Sequence, residues 1–157
     1  FNIYPHYFKI NTNIPILNQT NRIEKAVKMR IKYVLEFSIE ASVTELYEKI
    51  STEYGLEQWF ANNVEFEDDD TYLFEWDEIS VHAKVADYKK NSFIRFKILE
   101  NSSNEYLELR ILKNEVTEDI SLEITDFANE DEVEDYKMLF RNQVLALKGL
   151  IREADLV

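Results

Sequence analysis

The sequence predicts an α+β domain: a curved antiparallel sheet of about six to seven strands wrapped around one long C-terminal helix, with two short helices after the first strand. Three observations carry this reading. Asn129 to Glu153 is one amphipathic stretch with helical periodicity. Before it lies a series of short alternating segments at hairpin spacing. Before those, a further alternating segment leads into two short helical patterns.

Taken in chain order, residues 1–28 stand apart. They hold both prolines, Pro5 and Pro15, show no period, and set Lys9, Arg22, Lys25 and Lys28 against one acidic residue, Glu24. We expect an N-terminal extension here, poorly ordered, followed by a domain over 29–157. The apolar residues Ile3, Tyr4, Tyr7, Phe8 and Ile10 leave open a strand added to that domain. Ile31, Tyr33, Leu35 and Phe37 then alternate with Lys32, Val34 and Glu36, the pattern of a half-buried strand. Ser42 and Glu45 form an S-x-x-E capping box that opens a short helix ending near Ile50. Gly55 is expected to break it, and Leu56 to Ala61 to make a second helical turn carrying Trp59 and Phe60.

Val64 and Phe66 start the strand series. Tyr72, Phe74 and Trp76 share one face of the next strand, and Ile79, Val81, Ala83 and Val85 a face of the one after. Ile94, Phe96 and Ile98 follow, then Leu107, Leu109 and Ile111, then Ile120, Leu122 and Ile124. The chain has only two glycines, so Asn and Asp must supply the left-handed turn conformations. Asp68-Asp69-Asp70, Asp77-Glu78, Lys90-Asn91-Ser92, Asn101 to Asn104 and Lys113-Asn114 fit that role. The three aspartates lack the central glycine and distal glutamate of a calcium loop, and read as a solvated turn. A sheet of this many strands twists, and so curls around the helix.

In the last stretch Val133, Tyr136, Phe140, Val144, Leu147 and Ile151 recur at steps of three and four and line one face. Leu139, Ala146 and Leu150 widen the stripe. Asn129 and Glu132 form a capping-box-like start, with Glu130, Asp131 and Glu132 at the positive end of the helix dipole.

Composition narrows the function. A net charge of −13 opposes phosphate binding and docking on anionic lipid, which argues against a nucleic-acid partner. It suits solubility, or a basic protein partner. No stretch reaches the roughly 20 apolar residues of a membrane span. No secretory signal pattern is visible, and the cytoplasm is the default assignment. The absence of cysteine removes disulfides and thiolate-held metals.

Ser38 to Tyr47, Gly55 to Phe60, Tyr72 to Trp76 with Ile94 to Phe96, and Thr125 to Ala128 ahead of the long helix are together similar to the START-like (SRPBCC, helix-grip) superfamily, and most resemble its bacterial branch related to the activator of heat-shock chaperone ATPase (AHSA-like). The run Ser38-Ile39-Glu40-Ala41-Ser42-Val43-Thr44-Glu45-Leu46-Tyr47 resembles that family's entry into its first helix. Gly55-Leu56-Glu57-Gln58-Trp59-Phe60 resembles its G-L-x-x-W-F element, and Phe74-Glu75-Trp76 with Ile94-Arg95-Phe96 its F-x-W and V-x-F strands. Thr125-Asp126-Phe127-Ala128, followed by acidic residues and the long helix, fits a bacterial subgroup without assigned activity. The resemblance covers roughly 29–155. It implies a groove between sheet and helix that different members use for lipids, hormones, polyketides or other apolar molecules, some members being enzymes, others carriers or partners of proteins.

The residues themselves offer no catalytic signal. His6 and His82 are the only histidines, and His82 alternates with Val81 and Ala83, which points it outward. Nearly all carboxylates fall in turns or on outward strand positions, and nothing marks a pair of them as buried; Arg95 and Arg110 are on strand positions opposite the apolar face. No metal or cofactor motif is present. The leading expectation is a non-enzymatic module that binds a small apolar ligand in the sheet–helix groove. Trp59, Phe60, Phe74, Trp76, Phe96, Leu109, Tyr136, Phe140 and Val144 would line it, with Tyr136, Phe140 and Val144 facing Trp76 and Phe96. The alternatives are a protein-interaction or chaperone-assisting module and, third, a cyclase- or hydrolase-type enzyme. A homodimer through a sheet edge or the basic segment is compatible with the sequence, with no residue arguing for it.

Overall fold

The computed structural model describes residues 29–156, so the expected extension 1–28 lies outside the described residues. β1 (Arg30–Ser38) leads into α1 (Val43–Ser51) and α2 (Glu53–Glu57). Six strands follow: β2 (Asn63–Glu67), β3 (Thr71–Trp76), β4 (Ile79–Lys89), β5 (Phe93–Ile98), β6 (Leu107–Lys113) and β7 (Ile120–Asn129). A 3-10 turn at Glu130–Glu132 joins β7 to α3 (Val133–Ala154). The strands form one antiparallel sheet in the order β1-β7-β6-β5-β4-β3-β2. The helical excursion carries the chain from one edge of the sheet to the other, and successive hairpins walk it back until β7 closes beside β1. This is the helix-grip architecture.

Period-two alternation decides the buried face. Tyr72, Phe74 and Trp76 of β3, Val81 and Ala83 of β4, Ile94, Phe96 and Ile98 of β5, and Leu107, Leu109 and Ile111 of β6 join one core. Two helical elements share that face. α1 lies nearest β5 and β6 and contributes Leu46 and Ile50; α3 lies nearest β1 and β7 and contributes the predicted stripe from Val133 to Ile151.

Three local expectations need correction. The long helix does not start at Asn129: β7 runs through that residue, which pairs with Arg30. The Asn129 side chain bonds no helix N–H. Its Nδ2 donates to Glu132 Oε2 at 3.1 Å, and its Oδ1 accepts from Arg30 Nη1 at 3.3 Å. Ala146 is exposed and lies outside the stripe. The first helix is ended not by Gly55 but by Thr52, whose extended backbone (φ −102°, ψ 154°) separates α1 from α2. The Thr52 hydroxyl donates to Glu48 O at 2.8 Å and accepts from Gly55 N at 3.0 Å. Gly55 is needed for close approach. A Cβ there would sit 2.3 Å from Glu48 O and 2.7 Å from Lys49 Cα, both backbone atoms.

The turn chemistry is largely as expected. Asp69, Asp70, Asp77 and Asn91 all take positive φ, between 48° and 62°. Glu118 (φ 61°) does so without having been foreseen, while both glycines sit in helices. The S-x-x-E cap is present, with Glu45 N donating to Ser42 Oγ at 3.1 Å.

Two substitutions check this packing. Gly55→Ala, helix-favouring by propensity, should instead destabilise by about 1–3 kcal/mol or more because rigid backbone occupies the space of its Cβ. Phe140→Ala should cost about 3–5 kcal/mol, and urea unfolding measures both. A loss below about 1 kcal/mol at Phe140 would show that this face of α3 is not buried as described.

Candidate functional site

The turn that ends α2 brings three elements to one carbonyl. Trp59 N and Phe60 N both donate to Leu56 O, which folds the chain back beneath α3. The Phe60 carbonyl then accepts from Trp76 Nε1 of β3 at 2.7 Å and from Gln143 Nε2 of α3 at 3.1 Å. Trp59 Nε1 donates to Lys49 O at 2.8 Å, so each indole has its polar edge satisfied and its ring face free to pack. Phe60 stands edge-on to Phe74 (5.1 Å between centroids) and Trp76 (5.4 Å), and Phe96 edge-on to Phe74 (5.5 Å) and Tyr72 (5.5 Å).

At this corner lies a pocket of about 280 Å³, walled by Trp59, Phe60, Trp76, Asp77, Gln143 and Ala146 among others. Gln143 commits its amide N–H to the Phe60 carbonyl and leaves its Oε1 buried with no hydrogen-bond partner among the described residues. All nine residues predicted to line a groove are buried in one continuous core. Trp59, Phe60 and Trp76 reach the pocket. Phe74 and Phe96 form the ring-packed layer behind it; Leu109 lies on β6, and Tyr136, Phe140 and Val144 on α3. A second hollow, about 250 Å³ between Ser38–Glu40 and the Lys148–Asp155 end of α3, contains none of them.

The family model of the START-like superfamily domain matches residues 27–153. The chain belongs to the START-like superfamily. BfR322 from Bacteroides fragilis, solved by solution NMR, is 37% identical over 77% of this chain and 90% of its own, with a TM-score of 0.56. The Aha1 dimer from Colwellia psychrerythraea (17% identity, 77% and 96% coverage, TM-score 0.65) shares the fold. So does DynU16, a protein in the dynemicin biosynthetic locus (16% identity, 77% of this chain and 47% of that one, TM-score 0.64). No curated protein matches the chain.

This START-like chain also buries a polar cluster that sequence reasoning missed. Tyr33 Oη donates to Asp126 Oδ2 at 2.9 Å across the β1–β7 ladder, and Asp126 is only 1% exposed. Burial, then the charge of Asp126 and the hydrogen bond to it, holds the Tyr33 phenol far above its ordinary pKa. The Tyr136 phenol on α3 is raised too, first by burial and then by the charges of Glu132 and Asp126. Beside them Arg30 grips Glu105 with Nε and Nη2 at 2.9 and 2.7 Å. Nearly all carboxylates are expected in turns and on outward positions; Asp126 is an exception that this reading does not single out. The signal was present, because Asp126 continues the period-two series Leu122, Ile124, Asp126, Ala128 on the inner face.

On the outer face Arg95 and Arg110 lie as expected, but the glutamate between them is nearly closed off. Glu108, 5% exposed, accepts from Arg95 Nη2 at 2.6 Å and from Arg110 Nε at 2.7 Å. Burial pushes its carboxyl pKa up, yet the bonds from Arg110 and Arg95 outweigh that and hold it below the usual value. His82 is also outward, with Nδ1 2.7 Å from Glu100 Oε1. Among the described residues no His, Asp and Glu side chains group to hold a metal ion, and no helix is long and apolar enough to cross a membrane.

The raised phenols give a pH prediction. Below about pH 10 tyrosines are protonated in both folded and unfolded chains, and the stabilisation is complete. Above it the unfolded chain releases protons that the native state retains, so stability should fall as pH rises. Tyrosinate absorbance should show the last phenols ionising only together with the loss of circular dichroism. Tyr33→Phe should make that alkaline loss shallower, and at neutral pH should cost about 1–3 kcal/mol by withdrawing a donor from a buried carboxylate.

Proposed function

We propose that this START-like domain is a non-enzymatic binding module for a small apolar ligand, taken up at the sheet–helix groove beside Trp59, Phe60 and Trp76. The pocket at that corner carries the reading: the largely buried Trp59, Phe60 and Trp76 form its floor, Glu57, Gln58, Asn62 and Asp77 give it a polar rim, and Gln143 brings a buried acceptor with no hydrogen-bond partner among the described residues. At about 280 Å³ it lies near the small end of ligand sites, which run about 300–1,000 Å³. That size favours a compact aromatic ligand over a long acyl chain. Binding is preferred to catalysis because the inward carboxylate of Asp126 is shut from solvent and hydrogen-bonded by Tyr33, while His82 is on the opposite face of the sheet. The likenesses to Aha1 and DynU16 are too distant to bring a partner or pathway with them. A cytoplasmic location belongs to the same reading.

The test is direct because the chain's two tryptophans, Trp59 and Trp76, both line the pocket. Titration with a panel of compact aromatic compounds and fatty acids should produce a saturable change in tryptophan emission for the former. Ala146→Phe, at an exposed position on the rim, should weaken that binding by about tenfold or more with an unchanged thermal midpoint. Absence of saturable binding across the panel would overturn the proposal.

A further inference from the structure

We propose that β1 is a self-recognition edge, through which two copies of the chain join their sheets antiparallel about a two-fold axis at Val34. The first ground is backbone geometry. β1 is an outer strand, and among the described residues only β7 pairs with it. Glu130 N donates to Met29 O, and Ile39 N donates to Ile120 O. With the unbroken register between them, these two bonds show that the odd-numbered residues of β1 turn their N–H and C=O groups toward β7. The groups of Arg30, Lys32, Val34, Glu36 and Ser38 therefore face the outer edge, which no other described strand occupies, a template for another strand.

The second ground is that the sequence of this edge complements itself. Placing Val34 opposite Val34 sets Lys32 against Glu36 twice and Arg30 against Ser38, and it pairs the whole strand. The open-edge groups of both copies then meet in matching phase. Shifting the axis to Lys32 or Glu36 would oppose like charges, which destabilises a ladder. Val34 is 49% exposed, a β-branched apolar side chain on the outer face. On the inner face the same register sets Ile31 against Phe37 and Tyr33 against Leu35, and Ile31, Leu35 and Phe37 are only partly buried in the single copy. Glu36 also lies directly opposite Glu123 of β7. A Lys32 arriving from the second copy would offset that repulsion. The occupant that fits is thus another β1, by charge, by apolar pairing and by hydrogen-bond phase together.

The experiment uses the full chain. Sedimentation from low-micromolar to near-millimolar concentration should show a reversible monomer–dimer equilibrium, with the amides of Lys32, Val34 and Glu36 gaining hydrogen-exchange protection as the dimer forms. K32E and E36K should each weaken self-association by about tenfold or more, since each places like charges opposite at both pairs. Mixed in equal amounts, the two variants should associate with each other, because one strand then carries acidic side chains at both positions and the other basic ones, so both cross-pairs regain opposite charge. A chain that stays monomeric throughout would overturn the proposal. So would a dimer indifferent to both substitutions, or edge amides already protected in the monomer, where residues 1–28 or another segment would be the occupant.

Discussion

The pairing of β1 with β7 is the constraint on which the rest of this structure depends. It joins the first described strand to the last and completes the sheet. It also creates the seat for the helix, because α3 rests on these two strands and follows β7 after one 3-10 turn. Its inner face carries Tyr33 against Asp126, and its end carries Arg30 against Asn129. A buried carboxylate is costly unless hydrogen bonds meet it. The Tyr33–Asp126 bond therefore does more than add stability: it penalises any register that would separate the two residues. A one-residue slip would also turn every side chain of β1 to the wrong face.

Much of the fold was legible because it rests on periodicity and on local chemistry. Alternation marked all seven strands, and steps of three and four marked the buried stripe of α3. Asp and Asn announced the turns that glycine would otherwise make. Legibility failed where a neighbour distant in sequence decided the outcome. Asn129 has the composition of a helix cap, but its side-chain amide is taken up by Arg30 and Glu132 and bonds no helix N–H. Gly55 has the composition of a helix breaker, yet it is required inside α2 because the backbone of Glu48 and Lys49 lies against it. Glu118 takes a left-handed turn that its residue type does not advertise.

The candidate site divides in the same way. That Trp59, Phe60, Phe74, Trp76 and Phe96 cluster followed from strand alternation and the turn after α2. Which of them border open space did not, because that depends on side-chain volumes and on where α3 stops covering the sheet. The Phe60 carbonyl, tying α2, β3 and α3 together through Trp76 and Gln143, is a backbone atom that no residue pattern singles out. Asp126 was readable in principle, being in phase with Leu122 and Ile124, but what admits its acid to the interior is the Tyr33 hydroxyl, 93 residues away in the chain.

The distance along the chain between Tyr33 and Asp126 has a consequence for how the protein is made. The two are 93 residues apart, and closing so long a loop gains nothing until both strands are in place. During synthesis the hairpins from β2 to β6 can form by local pairing as they emerge, whereas β1 must wait for β7. Until then its edges and half-apolar faces remain without partners. The interval between the birth of the first strand and its capture by the last is thus the period in which the nascent chain is most exposed to pairing errors.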